Sequence, residues 1–212
     1  MVRDETLSGY RYEDALPSDA HNYLLPALLE AVDGVNCGDR RVFDLGCGNG
    51  SVAAALSERG WRVTGVDPSV QGIKHARAAY PNCEFNLGSA YDDLAGLYGC
   101  YPLVVSLEVV EHLYAPRKYA KAVFDLLEPG GVAIISTPYH GYAKNLALAL
   151  SGKMDQHFTA LWDHGHIKFW SRWTIKALFD EVGLFTERVT LVGRIWPLAK
   201  SMMIELRKSG DC

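Results

Sequence analysis

No two of the five cysteines, at positions 37, 47, 83, 100 and 212, stand in a C-x-x-C pair. Their odd number and irregular spacing argue against a disulfide framework or a zinc knuckle, so a reducing, cytoplasmic setting is expected. Long apolar runs are missing too: none approaches the roughly 20 residues that cross a bilayer, and the opening MVRDETLSGYRYED is too charged for the apolar stretch of a signal peptide. No membrane span is expected. Positive charge is not in excess, since 21 Lys and Arg against 25 Asp and Glu leave a formal charge of −4, which makes nucleic acid a poor candidate partner. Arg40, Arg41, Arg117, Lys118, Lys121, Arg194 and Lys200 are scattered without the aromatic interleaving of an RNA track and read as a solvated face. Repeats and low-complexity tracts are absent.

What is present is an alternation of element types. With 212 residues, 49% of them hydrophobic, the chain can build one sizeable core. Strands are expected at 41–45, 61–66, 83–87, 101–107 and 132–137, with helices at 51–59, 70–79 and 115–127 between them and a break at Glu128-Pro129-Gly130-Gly131. Strands separated by helices pair in parallel through right-handed crossovers, giving an α/β doubly wound sheet with helices on both faces. The tail differs: a helix at 172–182, then strand-like runs at 184–192 and 199–207 that form an antiparallel hairpin at the sheet edge, for seven strands in all. About a dozen N-terminal residues look poorly anchored.

The stretch VFDLGCGNG packs three glycines into five residues directly behind the first strand. Such a loop lets a ligand approach the backbone and leaves the N–H groups of the next helix available. It is not the dinucleotide fingerprint G-x-G-x-x-G, whose third glycine falls on Ser51 here. Asp44, two residues ahead of Gly46, would repel a pyrophosphate but attract an ammonium or sulfonium. Asp67, ending the second strand, is placed to accept hydrogen bonds from ribose hydroxyls, although Asp67-Pro68 would also serve as a simple turn.

Together DLGCGNG, GVDPS and EPGGVAIIST resemble, in order and spacing, motifs of the class I S-adenosylmethionine-dependent methyltransferases, over roughly residues 40–137. The resemblance implies a Rossmann-like fold and S-adenosylmethionine as cofactor. It places the methionine end at Asp44 and the Gly46-Cys47-Gly48 backbone, the ribose at Asp67 beside Pro68, and the adenine at Ser89 and Ala90, with Glu108 bordering the pocket. Ser89 departs from the acid that many relatives carry there, and a serine accepts the adenine hydrogen bond more weakly.

The fourth strand ends at the switch point of a doubly wound sheet, so the run Ser106-Leu107-Glu108-Val109-Val110-Glu111-His112 should face the transferred methyl. Glu108, Glu111 and His112 stand at i, i+3 and i+4, on one face if the chain turns helical there. Two uses are open. His112 is a general base steadied by a carboxylate, or the three ligate a divalent cation such as Mg2+ that lowers a hydroxyl's pKa. E-x-x-E-H followed by a later histidine resembles small-RNA 2′-O-methyltransferases, matching His166, whereas the run from EVVEHLYAPRKY to Phe169 resembles ubiquinone-biosynthesis O-methyltransferases, matching His164. Against both stands a plainer use of Glu111 as a carboxylate capping the helix that follows. His21, His75, His140 and His157 read as surface or packing residues.

One domain is expected, with an N-terminal helix or lid at 1–39, where Tyr10, Tyr12 and His21 fold over the cofactor, and a cofactor core at 40–137. A substrate-side insertion follows at 138–170, then a C-terminal helix and edge strands at 171–212. Leu146, Leu148, Leu150, Phe158 and Trp162 in the insertion either enclose a flat apolar substrate or only pack it onto the sheet. The favoured function is O-methylation of a small-molecule hydroxyl or phenol. The alternatives are an RNA-end 2′-O-methyltransferase and a non-catalytic nucleotide-binding domain that takes a protein partner. The methyl acceptor and the oligomeric state are left open by the sequence.

Overall fold

The computed structural model describes residues 12–17, 20–163 and 165–210. Tyr10 and His164, and all but the last of the dozen N-terminal residues expected to be loosely held, lie outside them. Tyr12 is inside, and residues 14–16 are tied down: Asn49 Nδ2 donates to the carbonyls of Asp14 (3.0 Å) and Leu16 (2.9 Å), and the Tyr80 hydroxyl to that of Ala15 (2.8 Å).

Seven strands, β1 (Arg41–Leu45), β2 (Arg62–Asp67), β3 (Glu84–Leu87), β4 (Tyr101–Leu107), β5 (Leu127–Pro138), β6 (Leu184–Val192) and β7 (Ser201–Lys208), form one sheet in the order β3-β2-β1-β4-β5-β7-β6. The first five pair in parallel, and β7 runs antiparallel to both β5 and β6. This is the expected doubly wound architecture, closed by a hairpin whose second strand lies inside and whose first forms the edge. The edge position matches the half-exposed pattern of β6. By contrast all seven residues of YPLVVSL in β4 are buried, as expected of a parallel strand covered on both faces.

Alternation along the strands divides the core in two. Phe43, Val104 and Ile135 face α4 (Leu94–Tyr98), α5 (Pro116–Leu126) and α8 (Arg172–Asp180), while Val42, Val105 and Ile134 face α1 (His21–Asp33), α2 (Ser51–Glu58) and α3 (Val70–Ala79). On α5, Tyr119, Val123 and Leu126 recur at helical spacing and are fully buried. Ser171 caps α8 through a reciprocal pair of hydrogen bonds with Thr174, satisfying donors the helix leaves open.

Two expectations about elements need correction. The break at Glu128-Pro129-Gly130-Gly131 is absorbed into β5, because the Gly130 N–H donates to the Ser209 carbonyl (3.2 Å) and Arg207 Nη1 to the Gly130 carbonyl (3.0 Å). The short α4 was not foreseen; it is capped by Asp93, whose side chain accepts from the Gly96 N–H. Phe179 is fully buried and packs against Tyr119 with ring centroids 6.3 Å apart. Phe179→Ala should lower the free energy of unfolding by about 3–5 kcal/mol in urea melts without altering the far-ultraviolet spectrum of the folded protein.

Candidate active site

The loop after β1 passes directly under its neighbours. Gly46 has φ of 83°, and a Cβ there would come within 2.4 Å of Val109 Cγ2; at Gly50, with φ of 82°, a Cβ would lie 2.8 Å from both Ala76 and Phe85. Both positions combine a left-handed backbone with no room for a side chain, so glycine is required. Asp44, 2% exposed, reaches the same region from β1. Its Oδ2 has no hydrogen-bond partner among the described residues, and burial, reinforced by the nearby Asp67 carboxylate, pushes its pKa up to about 7. Asp67, at the end of β2, accepts from the backbone N–H groups of Gly48 (2.9 Å) and Ser69 (2.7 Å). Burial raises it to about 6, against those two hydrogen bonds. Each of its oxygens keeps a second lone pair for a ligand.

A cavity of about 1130 Å³ opens over these groups. It exceeds the few hundred to 1,000 Å³ typical of a pocket for one small molecule, which leaves space for a donor and an acceptor side by side. Asp44, Gly46, Cys47, Gly48, Asp67, Pro68, Ser89, Ala90 and Glu108 all line it, as do Tyr12 and His21. Ser89 Oγ accepts from the Tyr91 N–H (3.2 Å), and the Ser89 N–H is taken by Asp92 (2.7 Å), so the serine closes its own loop.

Beyond β4 the chain turns sharply. Glu108 has φ of 55°, and Val110–His112 form a 3-10 turn. The strain separates the two glutamates. The Glu108 carboxylate accepts from the hydroxyls of Ser136 (2.8 Å) and Ser201 (3.3 Å) and is raised to about 7 by burial. Glu111, 1% exposed, accepts from the Thr137 hydroxyl (3.0 Å) at Oε2, while Oε1 has no hydrogen-bond partner among the described residues and lies 4.0 Å from His166 Nε2. Its pKa is pushed well up by burial and then by Glu108. Glu111 therefore does not cap α5, which begins at Pro116 behind Ala115 with no side-chain cap.

The insertion is pinned to this turn by its backbone. The Glu111 carbonyl accepts from both the Ile167 N–H (2.9 Å) and the Lys168 N–H (3.0 Å), which brings His166 beside His112 with ring centroids 4.8 Å apart. One potential ligand atom each from Glu111, His112 and His166 lies within 4.8 Å of the others. Glu108, expected as a ligand, lies outside that group because its left-handed backbone directs it to Ser136 and Ser201. Burial and the other histidines lower His166 to about 4, so its ring is neutral and able to accept or ligate at neutral pH.

Several residues that read as surface or packing face the cavity. His140, 8% exposed, stands two residues past β5 and contacts the rings of His157, Phe158 and Phe169. Its place after a strand's carboxyl end was the available signal. Lys144 and Leu148 on α6 (Tyr142–Leu150), His157 and Phe158 on α7 (Met154–Phe158), and Trp162 line the same space, as do Arg194 and Lys200, which are not merely a solvated face. Leu146 and Leu150 are exposed instead, and α6 buries none of its residues.

A family model described as a methyltransferase domain matches residues 11–188. The chain belongs to the class I S-adenosylmethionine-dependent methyltransferases. Its similarity to a ubiquinone biosynthesis O-methyltransferase of Thiobacillus denitrificans is 31% identity over 158 residues, covering 71% of this chain and 67% of that one. With a ubiquinone biosynthesis O-methyltransferase of a Caulobacter species it is 36% over 116 residues, 53% of this chain and 46% of the relative, so the match leaves from a third to more than half of these relatives' length uncovered. The fold is also that of magnesium protoporphyrin IX methyltransferase from Synechocystis PCC 6803 with bound SAH, at a TM-score of 0.64 and 22% identity over 88% of this chain and 81% of that structure. The methyltransferase uses S-adenosylmethionine, and the loop suits that cation: a bare glycine backbone sits beside a buried carboxylate with an unpartnered oxygen.

Glu111 is costly to the unliganded fold. Its raised pKa means that the folded methyltransferase holds a proton there which the unfolded chain releases above the ordinary carboxylate range, so this contribution to stability is lost as pH rises. Glu111→Gln should raise the melting temperature, and by more at pH 8 than at pH 5, in differential scanning calorimetry.

Proposed function

We propose that this methyltransferase O-methylates a hydroxyl group on a small-molecule acceptor in the cytoplasm. The observation that carries the reading is the continuity of one cavity from the glycine loop and Asp44 to Glu108, His112 and His166. Asp44 holds the cofactor's ammonium end with the Gly46-Cys47-Gly48 backbone, and Asp67, beside Pro68, holds the ribose. Ser89 and Ala90 flank the adenine, and Glu108 borders the methyl. When bound, S-adenosylmethionine supplies a methyl group on a cationic sulfur. The residues of the chain orient the acceptor oxygen in line with that bond and exclude water, an alignment that alone can remove several kcal/mol of barrier. His112 takes the hydroxyl proton, with the Glu111 carboxylate supporting the charge it gains.

A divalent cation at Glu111, His112 and His166 is the second use of the same group, favoured by the unpartnered Glu111 Oε1 and the 4.8 Å span. Two imidazoles and one carboxylate suit a borderline ion such as zinc better than magnesium, which prefers oxygen. A cation held there would lower the acceptor hydroxyl's pKa. Relatives named as ubiquinone biosynthesis O-methyltransferases support oxygen as the acceptor atom. The RNA-end alternative shares this group, but the chain's net charge of −4 weighs against it.

The function is tested by incubating the protein with labelled S-adenosylmethionine and a metabolite extract, with and without chelator, and identifying the labelled product by mass spectrometry. His112→Ala should keep cofactor binding and reduce turnover at least about tenfold. Equal turnover would remove it from the chemistry, and turnover indifferent to chelator would remove the cation.

Because burial and Asp67 raise the Asp44 pKa to about 7, binding a cation there expels a proton at lower pH. Affinity for S-adenosylmethionine should therefore fall as pH drops below 7, by up to about tenfold per pH unit. Asp44→Asn should bind more weakly and flatten that slope, measured by calorimetry in buffers of differing ionisation enthalpy.

A further inference from the structure

Three cationic side chains line the acceptor half of the cavity: Lys144 on α6, Arg194 in the link between β6 and β7, and Lys200 just before β7. None of them forms an ion pair with a described carboxylate. Lys144 is the most enclosed. Its Nζ donates to the carbonyls of Tyr139 (2.8 Å) and Lys200 (3.3 Å), which fix the ammonium and leave one of its three N–H donors for a ligand. The Lys200 ammonium lies 4.9 Å from the centroid of the Tyr23 ring, a site that holds a cation without neutralising it. Arg194 repels Lys144, and Lys144 in turn repels any positive charge on His140 or His157. Glu108 offsets this only in part: its oxygens are engaged by Ser136 and Ser201, and desolvation with Arg194 outweighs it at Lys144, whose pKa falls to about 8. Lys144 is half-buried while Arg194 and Lys200 are exposed, and an anion that joins the three relieves their mutual repulsion. The walls beside them are the rings of Phe158, Trp162 and Phe169.

We infer that the methyl acceptor is an aromatic acid whose carboxylate is bound by Lys144, with Arg194 and Lys200 completing the counter-charge. This rests on the reading of the cavity as an acceptor site for a hydroxylated small molecule. It adds the chemical class of that molecule and names Lys144 as the residue that selects it. The competing role for Lys144 is structural, a clasp between the carbonyls of Tyr139 and Lys200.

The test uses the full chain saturated with S-adenosylhomocysteine and two probes, 3,4-dihydroxybenzoate and its uncharged amide, titrated by calorimetry at pH 7. One hydrogen-bonded charge contact should make the acid bind at least about tenfold tighter than the amide. That preference should fall below about threefold in Lys144→Gln and return in Lys144→Arg. Should Lys144→Gln fail to fold, Arg194→Gln, at an exposed position, should still narrow the preference about two- to threefold by removing one long-range charge. Equal affinities, no binding of either probe, or a preference that survives Lys144→Gln would overturn the inference. So would displacement of the acid by a short single-stranded RNA at micromolar concentration. Methyl transfer to the two probes is followed separately. Selective binding of the acid without an O-methylated product would sink the oxygen-acceptor reading and leave the carboxylate site standing, whereas equal product from both probes would do the reverse.

Discussion

Four carboxyl groups, Asp44, Asp67, Glu108 and Glu111, are held at one edge of the sheet, three of them almost wholly removed from water and Glu108 partly so. Desolvation is the leading cause of the raised pKa of each. Carboxylates in such a place cost the fold free energy unless a positive group arrives to share it. That constraint organises the rest of the molecule. The glycine loop brings the Gly48 N–H to Asp67, the hydroxyls of Ser136, Thr137 and Ser201 bond the two glutamates, and one oxygen each of Asp44 and Glu111 has no hydrogen bond among the described residues. A site that binds a cationic methyl donor gains from this arrangement, because the donor meets charge that water does not already solvate.

The acceptor side is built by a different device. The insertion between β5 and α8 buries little of itself, and α6 has no buried residue. Its position comes from backbone contacts instead: Ile167 and Lys168 bond the Glu111 carbonyl, His140 bonds the Trp170 carbonyl, and Tyr139 bridges to Trp170. A segment anchored at its ends and lightly packed between them is the part of such a fold that can vary with substrate while the cofactor half stays fixed. The two halves also differ in charge, with carboxyl groups around the donor and Lys144, Arg194 and Lys200 around the acceptor. The polarity of the cavity thus matches the sulfonium at one end and the inferred acid at the other.

Much of the cofactor half was legible in the chain. Apart from β5, which starts at Leu127 ahead of the expected break, the strands read from apolar runs fall within two residues of their observed bounds, since a strand buried on both faces must be apolar throughout, as Tyr101–Leu107 is. The glycines of the first loop were legible because local sterics demand them. Short elements were harder: α4, of five residues, depends on an Asp93 cap and on packing against α5 more than on any periodic pattern. The E-x-x-E-H run was read as one face of a helix, but the left-handed backbone at Glu108 breaks that periodicity and sends the two glutamates to different partners. Local spacing holds only while the backbone stays regular.

By itself the sequence determined the order of the seven strands, the longer helices α2, α3, α5 and α8 among them, and the loop that must approach a ligand closely, because each follows from short-range patterns of apolarity and glycine. Only the tertiary structure decided that His166 meets Glu111 and His112, that His140 and Lys144 face the cavity, and that Arg194 and Lys200 join them. These residues lie tens of positions apart, and what brings them together is the return of the insertion and of β7 to the carboxyl edge of the sheet, a pairing that leaves no periodic trace in the chain.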